Sequence, residues 1–259
     1  MMKKQIVGIC AHRGASWNQP ENTAAAFLAA KEEGADWVEL DVRLNRSGDL
    51  IVHHDAAFTD GRGVWATPSD ATPDGVLTLS EALDACLGLG VNIEIKNSPG
   101  DLGDAEVAGD GAVPHDLVVA DMVVDLVASR RSAHPGGASE VTSGASGSVG
   151  QPILVSSFDE ATLARIRSLS TDMALGYLVF DLNTDPHLPE RAADSGYNAL
   201  NPWEPFVDGA LMERCANLGL QVNPWTVDDP TRIRQLAALG VDSIITNRPR
   251  AAREALSIR

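Results

Sequence analysis

The sequence contains few cysteines and few aromatic residues. Aromatic residues make up 5% of the 259 residues, and the three cysteines, Cys10, Cys86 and Cys215, each lie inside an apolar segment. Their spacing does not match the paired cysteines of a metal-binding motif. We therefore expect three buried free thiols that pack as small apolar side chains.

Positive charge is also scarce. The chain has 20 lysines and arginines against 36 aspartates and glutamates, which gives a formal net charge of -16 and an isoelectric point near 4.6. Since no run of basic residues is present to neutralise phosphates, this composition argues against binding to nucleic acid or to an anionic membrane surface. A phosphate-containing substrate would require positive charge placed locally.

Long apolar segments are missing as well. No apolar window of about 18 residues occurs anywhere in the chain. Two lysines and a short apolar stretch open the sequence, but His12 and Arg13 interrupt that stretch before it reaches the length of a signal peptide. We therefore expect a soluble cytoplasmic protein without stable membrane insertion, whose oligomeric state the sequence does not reveal.

Strand patterns and amphipathic helix patterns alternate along the whole chain, and 44% of the residues are apolar. Eight such pairs predict an α/β protein, a single (β/α)₈ TIM-barrel domain over residues 1–259 with a small hairpin extension after the second strand. The predicted strands are 6–12, 37–42, 91–96, 153–157, 173–178, 197–200, 220–225 and 242–246. The predicted helices are 22–33, 79–87, 116–131, 159–169, 186–193, 207–218, 230–239 and 250–258.

Two segments have no apolar periodicity. Residues 98–112 are rich in glycine and aspartate, and residues 133–150 are dominated by glycine, serine, alanine and threonine. Such composition is typical of loops. We expect a mobile loop at 133–150 and no domain boundary there.

The second predicted strand has one polar face. Apolar residues alternate there with Glu39, Asp41 and Arg43, so both carboxylates point the same way. A turn centred on residues 47–48 predicts an antiparallel hairpin in which Asp41 faces His54. Two carboxylates and an imidazole would then converge, as in a metal-assisted acid/base site.

Charged residues inside a parallel barrel are tolerated near the carboxyl ends of the strands, where barrel enzymes keep their active sites. Glu39, Asp41 and Glu94 are predicted to cluster there, and three oxygen ligands without cysteine suit Mg²⁺ or Ca²⁺. The alternative is a buried ion network formed by the acids and the basic residues of the same strands, Arg13, Arg43 and Lys96.

Two histidines are predicted at the same end of the barrel. A single histidine in a strand is more commonly a packing residue, but His12 and His54 together favour a catalytic pair. One imidazole would accept a proton from the nucleophile while the other protonates the leaving oxygen. His53 lacks comparable support and is expected to be structural.

Three further residues are candidates for substrate binding. Arg13 and Lys96 would place positive charge at the strand ends, where it suits the oxygens of a phosphate group. Trp225 ends the seventh predicted strand. It is interpreted either as a wall of the pocket or as ordinary barrel packing.

Several short motifs are distributed over nearly the whole chain. They are AHRG at 11–14, PENT at 20–23, GAD at 34–36 followed by ELDV at 39–42, HD at 54–55, NIEIK at 92–96, WTV at 225–227 and GVDSIITNRP at 240–249. In sequence and order they resemble the motifs of the glycerophosphodiester phosphodiesterases, and as a set they are specific.

The resemblance implies a (β/α)₈ barrel that hydrolyses glycerophosphodiesters, small-molecule substrates, to glycerol 3-phosphate and an alcohol with a divalent cation. Two features depart from the family pattern: Asn247 stands where aspartate is common, and segment 98–150 is longer than usual. By position, the resemblance assigns the metal ligands to Glu39, Asp41 and Glu94, the catalytic pair to His12 and His54, and the phosphate contacts to Arg13 and Lys96.

Two alternative functions remain open at this stage. One is a phospholipase-type phosphodiesterase that acts on lipid diesters. Such an enzyme is expected to have an apolar or basic rim around the barrel mouth, and we identify no segment of the sequence that would form this rim. A non-catalytic barrel that binds a cation or a sugar phosphate predicts the loss of a histidine or an acid, yet all five residues are present. The sequence leaves open the alcohol moiety, the choice between Mg²⁺ and Ca²⁺, and which histidine is the acid.

Overall fold

The computed structural model describes residues 7–97, 117–133 and 151–257. Within these ranges a parallel sheet is surrounded by helices. The strands are β1 Gly8–His12, β2 Trp37–Leu44, β3 Leu50–Val52, β4 Gly90–Ile95, β5 Ile153–Ser157, β6 Ala174–Val179, β7 Ala199–Pro202, β8 Gln221–Val222 and β9 Ser243–Thr246. The helices are α1 Ala24–Glu32, α2 Leu79–Ala85, α3 Val118–Ala133, α4 Glu160–Leu169, α5 Leu188–Asp194, α6 Gly209–Leu218, α7 Pro230–Leu239 and α8 Pro249–Ser257.

The sheet closes on itself. Its strands follow the order β8-β7-β6-β5-β4-β2-β1-β9, and β3 pairs only with β2, in the antiparallel direction. Between β8 and β9, the Asp242 amide donates to the Val222 carbonyl at 3.0 Å and the Ile245 amide to the Pro224 carbonyl at 2.9 Å. These bonds complete the ring, and the predicted (β/α)₈ barrel is confirmed.

The alternation seen in the sequence of β2 separates two environments. Val38, Leu40 and Val42 belong to the hydrophobic core and are fully buried. Glu39 and Asp41 are also buried, but they contact polar groups of the neighbouring strands. The period of two therefore places apolar residues against the helices and acids inside the barrel.

Helix boundaries follow the capping chemistry of the sequence. Thr78 caps α2 through a reciprocal capping box with Glu81, and Gly240 ends α7 in the left-handed conformation at φ +90°. Helix α5 forms despite Pro189 because this proline lies in the first turn, where no intrahelical amide bond is lost.

The predicted register of the β2–β3 hairpin is wrong by one residue. The His53 amide donates to the Asp41 carbonyl at 3.1 Å, so Asp41 lies opposite His53 and not His54. The cause is a three-residue loop, closed by the Asn45 amide on the Asp49 carbonyl at 3.0 Å, with Gly48 at φ +88°. The paired positions are Val42 with Val52, Arg43 with Ile51 and Leu44 with Leu50.

Three smaller predictions concern cysteines, membrane spans and loops. The three cysteines are free and buried, as expected. Among the described residues, no helix combines the length and apolarity needed to span a membrane. Residues 98–112 and all but the first residue of 133–150 lie outside the described ranges, so both loop predictions remain untested.

Candidate active site

A pocket opens at the carboxyl ends of the barrel strands, and all the predicted site residues except Asp41 line it. Asp41 is fully buried, and one of its carboxylate oxygens lies within 4.8 Å of oxygens of the pocket-lining Glu39 and Glu94. One side of the pocket is polar and is lined by His12, Arg13, Glu39, His54, Asn92, Glu94 and Lys96. The other side is lined by Phe158, Leu178, Trp225, Thr226 and Ile245.

The turn after β1 places His12 and Arg13 at the pocket. Arg13 adopts φ +55°, a conformation uncommon for residues other than glycine, and Gly14 follows at φ +85°. A Cβ on Gly14 would lie 2.6 Å from backbone and side-chain atoms of Ala26, so the approach to α1 requires glycine. The Arg13 amide donates to Glu39 Oε2 at 2.9 Å, which joins this turn to β2.

Three carboxylates form a compact cluster. One oxygen from each of Glu39, Asp41 and Glu94 lies within 4.8 Å of the other two, and all three residues are buried. Within the described residues, Glu39 Oε1 and Asp41 Oδ1 are buried and accept no hydrogen bond. Burial, together with the charges of Asp41 and Glu94, raises the pKa of Glu39 well above its usual range. Buried acceptor oxygens that repel one another fit a hard divalent cation, so the cluster is suited to hold one.

Two basic residues also pair with these acids. Arg13 Nε lies 3.2 Å from Asp41 Oδ2, and Lys96 Nζ contacts both Glu94 and Asp41, the latter at 3.6 Å. Burial raises the pKa of Asp41, but the charges of Lys96 and Arg13 outweigh it and hold this pKa below its usual range. The predicted ion pairs of Arg13 and Lys96 with the acids are therefore present beside the carboxylate cluster, which is a candidate metal site.

Arg43, considered above as a partner of the buried acids, donates instead to two backbone carbonyls. Its Nε donates to the His54 carbonyl at 2.9 Å and its Nη1 to the Lys96 carbonyl at 3.1 Å. Arg43 therefore ties together the backbone segments that carry two of the site residues.

Asn22 is a site residue that the sequence analysis missed. Its side chain donates to Asp41 Oδ2 at 2.8 Å and accepts from the Asp41 amide at 3.3 Å. Asn22 is buried and adopts φ +58°, which asparagine tolerates better than most residues. The available signal was its position in the PENT motif, immediately before Thr23, the residue that caps α1.

The two histidines reach the pocket from different elements. His12 ends β1, and burial and the charge of Arg13 lower its pKa to about 4. His54 follows the last ladder bond of the hairpin, has a side chain that is 31% exposed, and places Nδ1 2.7 Å from Asp55 Oδ1. Burial also lowers the pKa of His54. His53 instead contacts the Ala57 carbonyl through Nε2 at 3.2 Å, away from the pocket-lining residues.

A polar network behind His12 was also missed. Asn247 Oδ1 lies 2.7 Å from His12 Nδ1, and Asn247 Nδ2 donates to Asp228 Oδ2 at 2.7 Å. Ser16 Oγ approaches the same Asn247 oxygen at 2.9 Å. The sequence signal was the departure from aspartate at position 247, but Asp228 could not be connected to it without the fold.

An aromatic wall forms the other side of the mouth. Phe158 packs edge-on against Trp225 with centroids 5.5 Å apart, and Phe180 stacks on Trp203 at 4.8 Å and 13°. Phe180 is 59% exposed and Trp203 37%. Only Trp225 was predicted, and the structure places it in the pocket wall. The missed signal was position, because Phe158, Phe180 and Trp203 each directly follow the last residue of a strand.

Comparisons with known proteins agree with this geometry. A "Glycerophosphodiester phosphodiesterase" of Caldanaerobacter subterraneus subsp. tengcongensis is 30% identical over 247 residues, covering 93% of this chain and 94% of the relative. A protein of the same name from Bacillus altitudinis is 28% identical, with 93% and 94% covered.

Solved structures share the fold. A phosphodiesterase of Oleispira antarctica, solved in complex with the product sn-glycerol-3-phosphate, superimposes with a TM-score of 0.77 at 22% identity, covering 97% of both chains. The glycerophosphodiester phosphodiesterase of Thermotoga maritima gives a TM-score of 0.74 at 23% identity, covering 97% of this chain and 99% of that one.

The sequence profile of one enzyme family matches most of the chain. The match covers residues 12–251, from His12 of the first motif to the start of α8. The chain therefore belongs to the glycerophosphoryl diester phosphodiesterase family.

Proposed function

We propose that the protein hydrolyses glycerophosphodiesters to glycerol 3-phosphate and an alcohol, with Mg²⁺ or Ca²⁺ held by Glu39, Asp41 and Glu94. The observation that carries this proposal is the meeting of the carboxylate cluster and two imidazoles in one pocket. An acidic cation site beside two proton-transfer groups has the composition that phosphodiester hydrolysis requires.

The phosphate of the substrate is proposed to bind beside Arg13 and Lys96. Both side chains line the pocket, and each is already oriented by a carboxylate of the cluster. The guanidinium can offer paired donors to two phosphate oxygens, and the ammonium acts as a compact positive charge. The product complex of the Oleispira antarctica protein supports a small phosphorylated ligand for this fold.

The two histidines are proposed to divide the proton transfers. One imidazole takes the proton of the attacking hydroxyl, which belongs either to water or to the glycerol 2-hydroxyl of the substrate. In the second case the cyclic phosphate that forms is then opened by water to give glycerol 3-phosphate. The other gives a proton to the departing alkoxide, and each such step contributes roughly 10² to 10⁴ in rate. When bound, a divalent cation stabilises negative charge on the phosphoryl oxygens. Arg13 lies beside the same pocket and adds positive charge there.

The aromatic wall favours a second candidate substrate class, diesters that carry a lipid chain. A phospholipase-type activity predicts an apolar rim, and Phe180 and Trp203 supply exposed rings there. Their exposure at the mouth would allow the acyl chain of such a diester to lie along them. Comparing lysophosphatidylcholine with glycerophosphocholine as substrates decides between the two classes.

The test of the proposed function is release of glycerol 3-phosphate from glycerophosphocholine, measured with and without a chelator. We expect turnover with Mg²⁺ or Ca²⁺, loss on chelation and recovery when the ion is returned. Cation binding without turnover, on either the lipid or the water-soluble diester, would instead identify a non-catalytic binding barrel. Turnover that is unaffected by chelation would remove the proposed role of the acidic cluster.

A further inference from the structure

We infer that Asp228 and Asn247 are positioning residues that hold His12 in the tautomer with its proton on Nδ1, which makes Nε2 the proton acceptor in the pocket. This inference rests on the proposed function for the role of His12 in the reaction. The tautomer itself follows from hydrogen bonds alone.

The first step concerns the orientation of the Asn247 amide. Asp228 Oδ1 accepts from the Asn247 backbone amide at 2.9 Å and from Thr246 Oγ1 at 2.9 Å, while Oδ2 accepts from Asn247 Nδ2 at 2.7 Å. A carboxylate offers acceptors only, so the side-chain NH₂ group of Asn247 must face Asp228. The amide oxygen of Asn247 must then face the opposite way, toward His12.

The second step concerns the proton on His12. An amide oxygen can accept but cannot donate, and Asn247 Oδ1 lies 2.7 Å from His12 Nδ1. The hydrogen of that contact therefore resides on Nδ1. A neutral imidazole carries one N–H, which leaves a lone pair on Nε2. Ser16 Oγ lies 2.9 Å from the same oxygen and 2.8 Å from the His12 carbonyl, and its single hydrogen can be donated to either of these acceptors.

The third step is the consequence for the reaction. As the attacking oxygen forms its bond to phosphorus, its proton moves to His12 Nε2, and the developing positive charge is shared with the dipole of Asn247. The bond from phosphorus to the leaving oxygen breaks, and that oxygen takes its proton from His54. The two histidines differ in the partner of Nδ1: His12 contacts the amide of Asn247, whereas His54 contacts the carboxylate of Asp55.

The decisive experiment combines imidazole ¹⁵N NMR with steady-state kinetics on glycerophosphocholine. In the wild-type protein we expect the His12 spectrum of the Nδ1–H tautomer. In Asn247→Ala we expect a mixture of tautomers and a kcat lowered about 10-fold to 100-fold, with KM within about 2-fold, because orientation and not binding is lost. Asn217→Ala, on the exposed surface of α6, is the matched control and should change neither measurement.

A charge-swapped pair distinguishes positioning from simple structural damage. Asn247→Asp alone places two carboxylates side by side, which removes the Asn247–Asp228 hydrogen bond. The double variant Asp228→Asn/Asn247→Asp restores a carboxylate–amide pair in reverse order and still gives His12 Nδ1 an acceptor. A carboxylate at position 247 accepts from His12 Nδ1 in both variants, so we expect both to keep the Nδ1–H tautomer. Because only the double variant restores the bond that orients residue 247, we expect its kcat to exceed that of Asn247→Asp at least about 10-fold.

Two results would overturn the inference. One is a wild-type His12 that carries its proton on Nε2. The other is an Asn247→Ala protein that keeps both the tautomer and kcat of the wild type. Since the NMR measurement needs no turnover, an inactive protein with the expected tautomer would refute the proposed function and leave the assignment of the tautomer standing.

Discussion

The two halves of the barrel mouth are built from opposite kinds of side chain. Within β1, β2 and β4 and just after them lie acids, bases and an imidazole, whereas the residues directly after β5, β6 and β7 are the aromatic rings Phe158, Phe180 and Trp203. Both halves are built on parallel strands of one sheet. The barrel therefore supplies the location, and the residue type decides which half presents ionisable groups and which presents apolar surface.

The charged half requires many partners and the aromatic half few. Buried Asp41 is held by Arg13, Lys96 and Asn22, because a buried ion without partners costs several kcal/mol. Phe180, by contrast, is mostly exposed and is located by stacking on Trp203 and a tilted contact with Trp225. Substitutions should accordingly have large effects in the charged half and small effects along the aromatic wall.

The largest effect is expected at the two histidines. His12→Ala or His54→Ala removes a proton-transfer group and should lower kcat by roughly 10² to 10⁴ while leaving the melting temperature nearly unchanged. His187→Ala is the matched control, because that imidazole is exposed and its side chain does not cap α5. Release of glycerol 3-phosphate and thermal unfolding measure the two quantities. A double histidine variant that stayed active would end the assignment.

The next effect concerns cation binding. Mg²⁺ or Ca²⁺ should raise the melting temperature, since an ion at 100 times its Kd adds about 2.7 kcal/mol to the free energy of unfolding. Glu39→Gln keeps the size of the side chain but removes one negative charge, and it should abolish most of that shift. Thermal unfolding with and without the ion provides the measurement. An undiminished shift in Glu39→Gln would place the ion elsewhere.

A smaller effect is expected at Asn22, which acts through Asp41. Asn22→Gly tolerates the observed φ of +58° yet loses both hydrogen bonds to Asp41, so it isolates the role of the carboxamide. Cation affinity should weaken about 10-fold to 100-fold, as is typical when the partner of a ligand is removed. Titration calorimetry of Asn22→Gly against the wild type measures this loss, and Asn22→Ala shows the added effect of backbone strain at this φ. Equal affinity in Asn22→Gly and the wild type would contradict it.

The smallest effect is expected along the aromatic wall. Phe180→Ala removes a ring stack worth about 0.5 to 1.5 kcal/mol, so KM for a lipid-bearing diester should rise about 2-fold to 10-fold. The kcat for glycerophosphocholine should stay within about 2-fold, because Phe180 packs on Trp203 and Trp225 and is not among the described residues that line the pocket. Leu169→Ala, exposed at the end of α4, serves as the control for loss of exposed apolar surface. A large fall in kcat would show that the two halves are not independent.

Much of the fold could be read from the chain because its signals are local. The strand of Val38, Leu40 and Val42 follows from a period of two, and the start of α2 from the capping pair Thr78 and Glu81. The hairpin register could not be read in the same way. One residue more or less in the loop shifts the register of the two strands and so changes which residues face each other. The side chain of Asn45 selects the three-residue loop by accepting hydrogen bonds from the Ser47 and Asp49 amides.

The residues of the candidate site also fall into two groups, those that local sequence identifies and those that only the fold reveals. Residues with an unusual type for their position, such as Glu39 in a buried strand, were identifiable from sequence. Ordinary residues that act through distant partners were not, because Asn22 is 19 positions from Asp41 and Asn247 is 235 positions from His12. Phe180 and Trp203 also appeared unremarkable until strand ends on neighbouring units brought them together.

By itself, the sequence determined the alternation of strands and helices, the buried acids and the pair of histidines, since these depend on residue type and spacing along one segment. Only the tertiary structure decided which groups orient them: the amide that faces His12, the carboxamide that holds Asp41 and the rings that complete the mouth. Hydrogen bonds and ring contacts form only over short distances. Closure of the barrel brings the strand ends within these distances, and the sequence alone does not specify them.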